Sequence, residues 1–100
     1  MIVTSIRGRV KAGQLDKAAP LLGKYADIVK EITGVEVGIA GRLGAIGETM
    51  VFSQHENAND FEEAVAKLWA SEAYRQVMDE ASEVFDGDAT DVSVWKVVSD

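Results

Sequence analysis

The chain predicts a single α+β domain: a four-stranded antiparallel sheet with two helices packed on one of its faces, in the order βαββαβ. Three observations carry this. Short apolar-alternating segments open and close the chain and pair up in its middle. Two long segments of helical spacing separate them. Glycine or polar turns punctuate the junctions. These elements use up all 100 residues, the size of one domain, so residues 1–100 are read as a single unit.

Ile2 to Val10 reads as the first strand, with Ile2, Thr4, Ile6, Gly8 and Val10 alternating against Val3, Ser5, Arg7 and Arg9. From Gln14 to Ile32, Leu15, Ala18, Ala19, Leu22, Tyr25, Ala26, Val29 and Ile32 recur at helical spacing, and Gly34 is a natural stop. Pro20 lies inside this segment and is expected to kink the helix rather than to start it. Val35 to Arg42 and Thr49 to His55 read as the second and third strands, joined by a glycine-bearing hairpin around Leu43 to Glu48. Asn59 with Glu62 has the spacing of a capping box ahead of the second helix. Ser71-Glu72 resembles a further N-cap, so that helix is expected to bend near Ala70. Asp86 to Thr90 is a polar turn, and Asp91 to Val98 alternates again as the fourth strand. Right-handed crossovers and short connections turn this order into the ferredoxin-like arrangement.

A hydrophobic fraction of 47% with 27% charged residues is ordinary for a globular protein. With no cysteine, a disulfide framework, a thiolate nucleophile and a thiolate metal site are all ruled out. No basic and apolar leader opens the chain and no apolar run is long enough to span a bilayer, so a cytoplasmic location is expected. The net charge of −7 argues against nucleic acid and anionic membranes as partners. That charge is unevenly spread. Residues 1–47 carry seven Lys/Arg against four Asp/Glu, whereas residues 48–100 carry three against thirteen. A solvated acidic second helix accounts for most of this, and Arg7, Arg9 and Arg42 are candidates to gather around an anionic ligand or an acidic partner edge.

The alternation leaves a problem on the sheet face away from the helices. Whichever parity faces inward, the other includes apolar residues: Ile2 and Ile6 or Val3, Met50 and Phe52 or Val51, Trp95 and Val97 or the valines of the fourth strand. A contiguous apolar patch marks an interface. A homodimer packed sheet to sheet about a two-fold axis is the expected partner arrangement, with Trp95 as the candidate interface residue.

Beyond the element order, Gly34 opens into Val35-Glu36-Val37-Gly38, and Asn59-Asp60-Phe61-Glu62-Glu63 leads to Leu68-Trp69-Ala70-Ser71-Glu72-Ala73-Tyr74. In these features nearly the whole chain resembles the dimeric α/β barrels, in particular the antibiotic-biosynthesis monooxygenase and stress-responsive branches. The resemblance implies a ferredoxin-like dimeric α/β barrel, in a superfamily of cofactor-independent oxygenases, haem-binding and haem-degrading proteins, isomerases and domains of no assigned role. It implies a cavity between helices and sheet. The haem-degrading branch would place an asparagine on the first strand and a histidine on the second helix. Here the strand has Thr4 and Ser5 and the helix has no histidine, so neither haem nor a metal cofactor is expected.

His55, the only histidine, is the candidate catalytic residue, since imidazole titrates near neutrality and can pass a proton. No partner stands at catalytic or metal-ligand spacing from it, and a structural strand-end histidine is the alternative. Trp69 and Tyr74 are candidate pocket walls and Arg7 a candidate anion clamp; at helical spacing the aromatics read equally as core. Gly38, Gly41, Gly44 and Gly47 recur every third residue, but a strand follows them, not a helix N-terminus, so a hairpin is read there and not a phosphate loop. The Asp86–Asp91 run offers three carboxylates but lacks the glycine and glutamate of a calcium loop. Together these readings point to a small homodimer expected to bind or oxidise an apolar or aromatic small molecule without a metal cofactor. A non-catalytic assembly or stress-related domain and a regulatory small-molecule-binding module are the alternatives.

Overall fold

The computed structural model describes residues 1–42 and 47–98. Eight residues of alternating character form β1 (Ile2–Arg9), followed by α1 (Leu15–Thr33), β2 (Gly38–Gly41), β3 (Glu48–His55), α2 (Ala58–Ala70), α3 (Glu72–Val84), a short 3₁₀ turn at Gly87–Ala89, and β4 (Asp91–Lys96). The four strands make one antiparallel sheet in the order β2-β3-β1-β4, the ferredoxin-like order expected. The tip of the expected β2–β3 hairpin, including Gly44, falls on residues 43–46 and lies outside the described residues.

Each helix boundary has a local cause. α1 ends where Gly34 adopts the left-handed conformation (φ 76°) and returns its N–H to the Lys30 carbonyl. The Thr33 hydroxyl donates to the Val29 carbonyl at 2.7 Å and accepts from the Val35 N–H at 3.1 Å, carrying the chain out of the helix. Pro20 sits inside α1, which continues through it. The cap of α2 is Asn57, whose side chain accepts from the Asp60 N–H at 2.9 Å; the expected Asn59–Glu62 box lies within the helix instead. Ser71 interrupts what the sequence spaces as one helix. Its backbone is extended, its N–H closes α2 on the Leu68 carbonyl, and its hydroxyl caps α3 by accepting from the Tyr74 N–H. One residue thus ends one helix, starts the next and aims Tyr74 and Val77 at the core.

The strands differ from expectation mainly at β2, which is ladder-paired only over Gly38–Gly41 rather than Val35–Arg42. Val35 and Val37 pack instead beside Val29, Leu68 and Tyr74, ahead of the strand proper. Two small cores hold the layers together: Val10, Ala18, Leu21, Val77 and Val84 at one end, and Val29, Leu68 and Tyr74 at the other, linked by Tyr25, Ile28 and Met78. The register decides which parity faces the helices. Thr4 stands opposite Ser53, Ile6 opposite Val51 and Gly8 opposite Thr49, and all six line space under the helices. Val3, Ser5, Arg7, Met50, Phe52 and Trp95 alternate with them and occupy the far face.

On that far face Gly38 pairs with Phe52, and a Cβ at Gly38 would overlap the Phe52 ring. The glycine therefore lets an aromatic side chain lie across the edge strand. Gly38→Ala should push the ring off β2 and cost about 1 kcal/mol in urea unfolding, a small overpacking penalty because the ring can swing toward solvent. In a Phe52→Ala background the same change should cost nothing, and an undiminished cost there would show that the ring is not the cause. Gly23, inside α1 with open space at its Cβ, provides the opposite case. Gly23→Ala should stabilise by about 0.5–1 kcal/mol through helix propensity.

Candidate functional site

Under the helices, small and hydroxyl-bearing residues on the sheet leave space that larger side chains would fill. Two adjoining cavities result, of about 280 and 160 Å³. The larger lies between Gly8, Thr49 and Val51 of the sheet and Leu22, Met78 and Phe85 of the helical layer. The smaller lies between Thr4, Ser53 and His55 and the side chains of Phe61, Leu68 and Tyr74. Ile6, Tyr25 and Val51 border both. Apart from His55, no charged or titrating acid or base lines either one among the described residues; the polar groups are hydroxyls.

Those hydroxyls are organised. The Thr4 and Ser53 side chains, directly opposed on β1 and β3, hydrogen-bond at 2.6 Å, and the Ser53 hydroxyl lies 3.2 Å from His55 Nε2. Ser53 and His55 share a face because two residues separate them on a strand. The Phe61 ring stands near edge-on to the imidazole, centroids 5.2 Å apart. Burial holds the His55 pKa below its ordinary value, and Asp60 opposes this only in part. On the opposite wall the Tyr25 and Tyr74 rings are 6.1 Å apart. Burial is the main cause that raises both phenols above their ordinary range, with Tyr74 adding to the effect at Tyr25, so both remain protonated donors across the neutral range.

The residues singled out in the sequence divide between the two faces. His55 and Tyr74 line the smaller cavity. Trp69 does not. It follows the buried Leu68 by one helical step, about 100° round the helix, so its indole is 52% exposed and packs edge-on against Tyr74 from outside at 5.1 Å. Arg7 is also absent from the cavity, because β1 points Ile6 inward and Arg7 to the far face, where it pairs with Asp91 at 2.5 Å. It does meet Arg9 and Arg42, in a recess of about 520 Å³ on that face, but Glu48 lies between the latter two at 3.3 and 2.8 Å. The arginines are thereby matched with carboxylates, and Glu48 titrates below its ordinary value because of Arg42 and then Arg9. Trp95 is on the far face and 65% exposed. Thr4, Ser53 and Tyr25 were not singled out. The first two read as ordinary members of alternating strands and the third as a helix core position; only register brings them together. Among the described residues no group of three or more His, Asp or Glu could hold a metal ion, and no helix is long and apolar enough to cross a membrane.

The fold, a four-stranded antiparallel sheet carrying helices, is shared with structures of antibiotic biosynthesis monooxygenases. A cofactor-independent oxygenase from Streptomyces nogalater, SnoaB, solved as a mutant, superimposes with a TM-score of 0.78 at 8% identity, covering 99% of this chain and 94% of that one. A structure described as an antibiotic biosynthesis monooxygenase matches at 0.79 and 11% identity over 99% of this chain and 100% of its own. A candidate enzyme of that name from Deinococcus radiodurans matches at 0.75 and 14% identity over 100% and 95%. This chain is similar to them in fold. No protein-family model matches the sequence, and no curated protein matches it.

His55 makes a pH prediction with a definite sign. Its folded pKa lies below the unfolded value of 6.5, so the unfolded chain takes up the proton first. Stability is highest above 6.5 and falls as the pH drops from there to the folded pKa. Urea unfolding at pH 7.5 and pH 5 should show a smaller acid loss in His55→Gln than in the parent chain. Equal losses would mean that His55 is not desolvated in the fold.

Proposed function

We propose that this chain is a homodimeric small-molecule-binding protein that takes a neutral, apolar or aromatic ligand between its helices and its sheet. The observation that carries this is the uncharged cavity pair, in which hydroxyls converge from the sheet and phenols from the helices. A largely apolar space with a few placed polar groups is what small-molecule sites have in common. An anionic ligand is disfavoured, since the arginines lie on the far face and already face carboxylates. The names carried by the structural neighbours incline the reading toward oxidation without a metal cofactor, with His55 as the proton-accepting group and Tyr74 as a hydrogen-bond donor.

The proposed dimer uses the far face of the sheet. Phe52, Trp95 and Val97 are exposed there, and the arginines and carboxylates around them are both present on one surface, as a self-complementary two-fold contact needs. Trp95→Ala should weaken association by roughly 2 kcal/mol, as buried aromatic anchors do. Sedimentation equilibrium reads the change directly. A parent chain that sediments at 10.8 kDa at micromolar concentration would remove the dimer from the proposal.

The ligand reading is tested with a matched pair of dyes. Neutral N-phenyl-1-naphthylamine should bind with enhanced fluorescence, while its sulfonated analogue binds at least about tenfold more weakly, because a buried unpaired charge is costly. Ala81→Leu, which fills the larger cavity, should reduce binding, and Trp95→Ala should not. If the charged dye binds equally well, or if only Trp95→Ala matters, the dyes occupy the far face and the cavity is not the site.

A further inference from the structure

We propose that Thr4, Ser53 and His55 form a proton relay along the inner face of the sheet, carrying a proton from a hydroxyl-bearing ligand in the cavity to the recess beside β2. This deepens the reading of the cavity as a ligand site and rests on it. The geometry is continuous: Thr4 and Ser53 oxygens are 2.6 Å apart, and Ser53 lies 3.2 Å from His55 Nε2. The chain also joins two different environments. Thr4 lines only the smaller cavity, whereas Ser53 and His55 line both that cavity and a recess of about 810 Å³ beside β2.

The recess is built to receive positive charge. Around it stand Glu56 from the lead into α2 and Asp60 and Glu63 from α2, with Lys67 the cation among its lining residues and Glu36, from the segment before β2, already paired with Lys30. On the remaining sides His55 meets Phe61 and, across the ladder, Ile2, with Lys96 one strand beyond. Partial burial favours the neutral form of the imidazole, which leaves a lone pair for a hydroxyl to donate to. With the ring proton on Nδ1, Nε2 accepts from Ser53, Ser53 accepts from Thr4, and the Thr4 oxygen is left facing the ligand as an acceptor.

The step balances without a co-reactant. The ligand O–H bond breaks and its proton joins the Thr4 oxygen, as the Thr4 proton passes to Ser53 and the Ser53 proton to His55 Nε2. The products are a ligand oxyanion and an imidazolium. The imidazolium then releases its Nδ1 proton into the carboxylate-rich recess. Tyr25 and Tyr74 are both held in the protonated state; Tyr25 donates to Tyr74, which leaves the Tyr74 O–H as the donor for the oxyanion. The ligand class that follows is a neutral phenol or enol, small enough for the cavity and acidic enough to ionise there.

A purely structural hydrogen-bonded cluster would hold the strands together but would not move a proton; one measurement tests that the three groups are coupled and a second that a proton moves along them. His55 is the only histidine, so ¹⁵N NMR of the ring reports one site. Ser53→Ala and Thr4→Val should both shift the Nε2 resonance, the second by less, with the fold intact by amide spectra; a Thr4→Val spectrum identical to the parent's overturns the relay. The second measurement uses 2-naphthol, which ionises on excitation when an acceptor touches its hydroxyl. Bound to the parent chain it should emit as naphtholate. Thr4→Val and His55→Gln, each compared at 2-naphthol concentrations that saturate it, should lose that emission by at least about tenfold per bound molecule. Binding with only neutral-naphthol emission, or naphtholate emission that survives both substitutions, overturns the relay alone. Failure of 2-naphthol to bind the folded parent overturns the cavity reading and the relay with it.

Discussion

The register between β1 and β3 is the constraint on which the rest of the structure depends. β1 is central, paired with β3 on one side and β4 on the other, so its alternation sets the identity of both sheet faces. A one-residue slip of β1 against β3 would bring Arg7 under the helices and expel Ile6. The register is pinned at its closed end. Gly47 takes a left-handed conformation (φ 88°) and its carbonyl accepts from the Val10 N–H at 2.8 Å, while Val10 also bridges to Phe85. A residue other than glycine would strain that turn. The Arg9–Glu48 pair lies in the next rung and reinforces it weakly, since exposed ion pairs contribute little.

From that register the chemistry separates by face. Inward positions on β1 and β3 read Ile2, Thr4, Ile6, Gly8 and Thr49, Val51, Ser53, His55: apolar anchors interleaved with small or hydroxyl-bearing groups. The far face collects the arginines and their carboxylate partners with the exposed aromatics Phe52 and Trp95. Basic and aromatic residues from different strands thus share a surface, and a serine and a histidine two residues apart on β3 serve an interior. The acidic second half of the chain follows the same logic, with Glu56, Asp60 and Glu63 edging the recess outside His55 and leaving the cavity itself uncharged.

Much of this was legible in the sequence, and the part that was not has a physical reason. The element order, the stop at Gly34 and the break at Ser71 follow from local propensity and capping, which act within a few residues. The true cap at Asn57 was missed because Asn59 offers the same side chain with a better-spaced glutamate, and only the chain's entry angle distinguishes them. β2 was read too long because Val35 and Val37 alternate like strand residues, yet their neighbours are α1 and α2 rather than β3. Parity was undecidable because both faces hold apolar side chains. Every misplaced site residue stems from that one ambiguity or from its helical counterpart: Arg7 needed the register, and Trp69 needed the rotation of α2 relative to Leu68. Thr4, Ser53 and Tyr25 carried no signal of their own, since a hydroxyl is informative only once its partner across the ladder is known.

The neighbours of this fold retain its shape at 8 to 14% identity. What persists at that distance is the layer architecture, and a shared architecture does not transmit a reaction. Chemistry in such a scaffold must reside in the few inward positions not needed for packing. In this chain those positions hold groups too small to fill the space they face. A Cβ on Gly8 would already sit 3.3 Å from the Phe85 ring, so that end is closed by an aromatic from the helical layer, while the Thr4–Ser53 end is closed by hydroxyls and a histidine. A sheet packed only for stability would place valine or isoleucine at Thr4 and Ser53, where each hydroxyl must otherwise find a partner under the helices. The two find each other and His55, and the space left above them is what a ligand would fill.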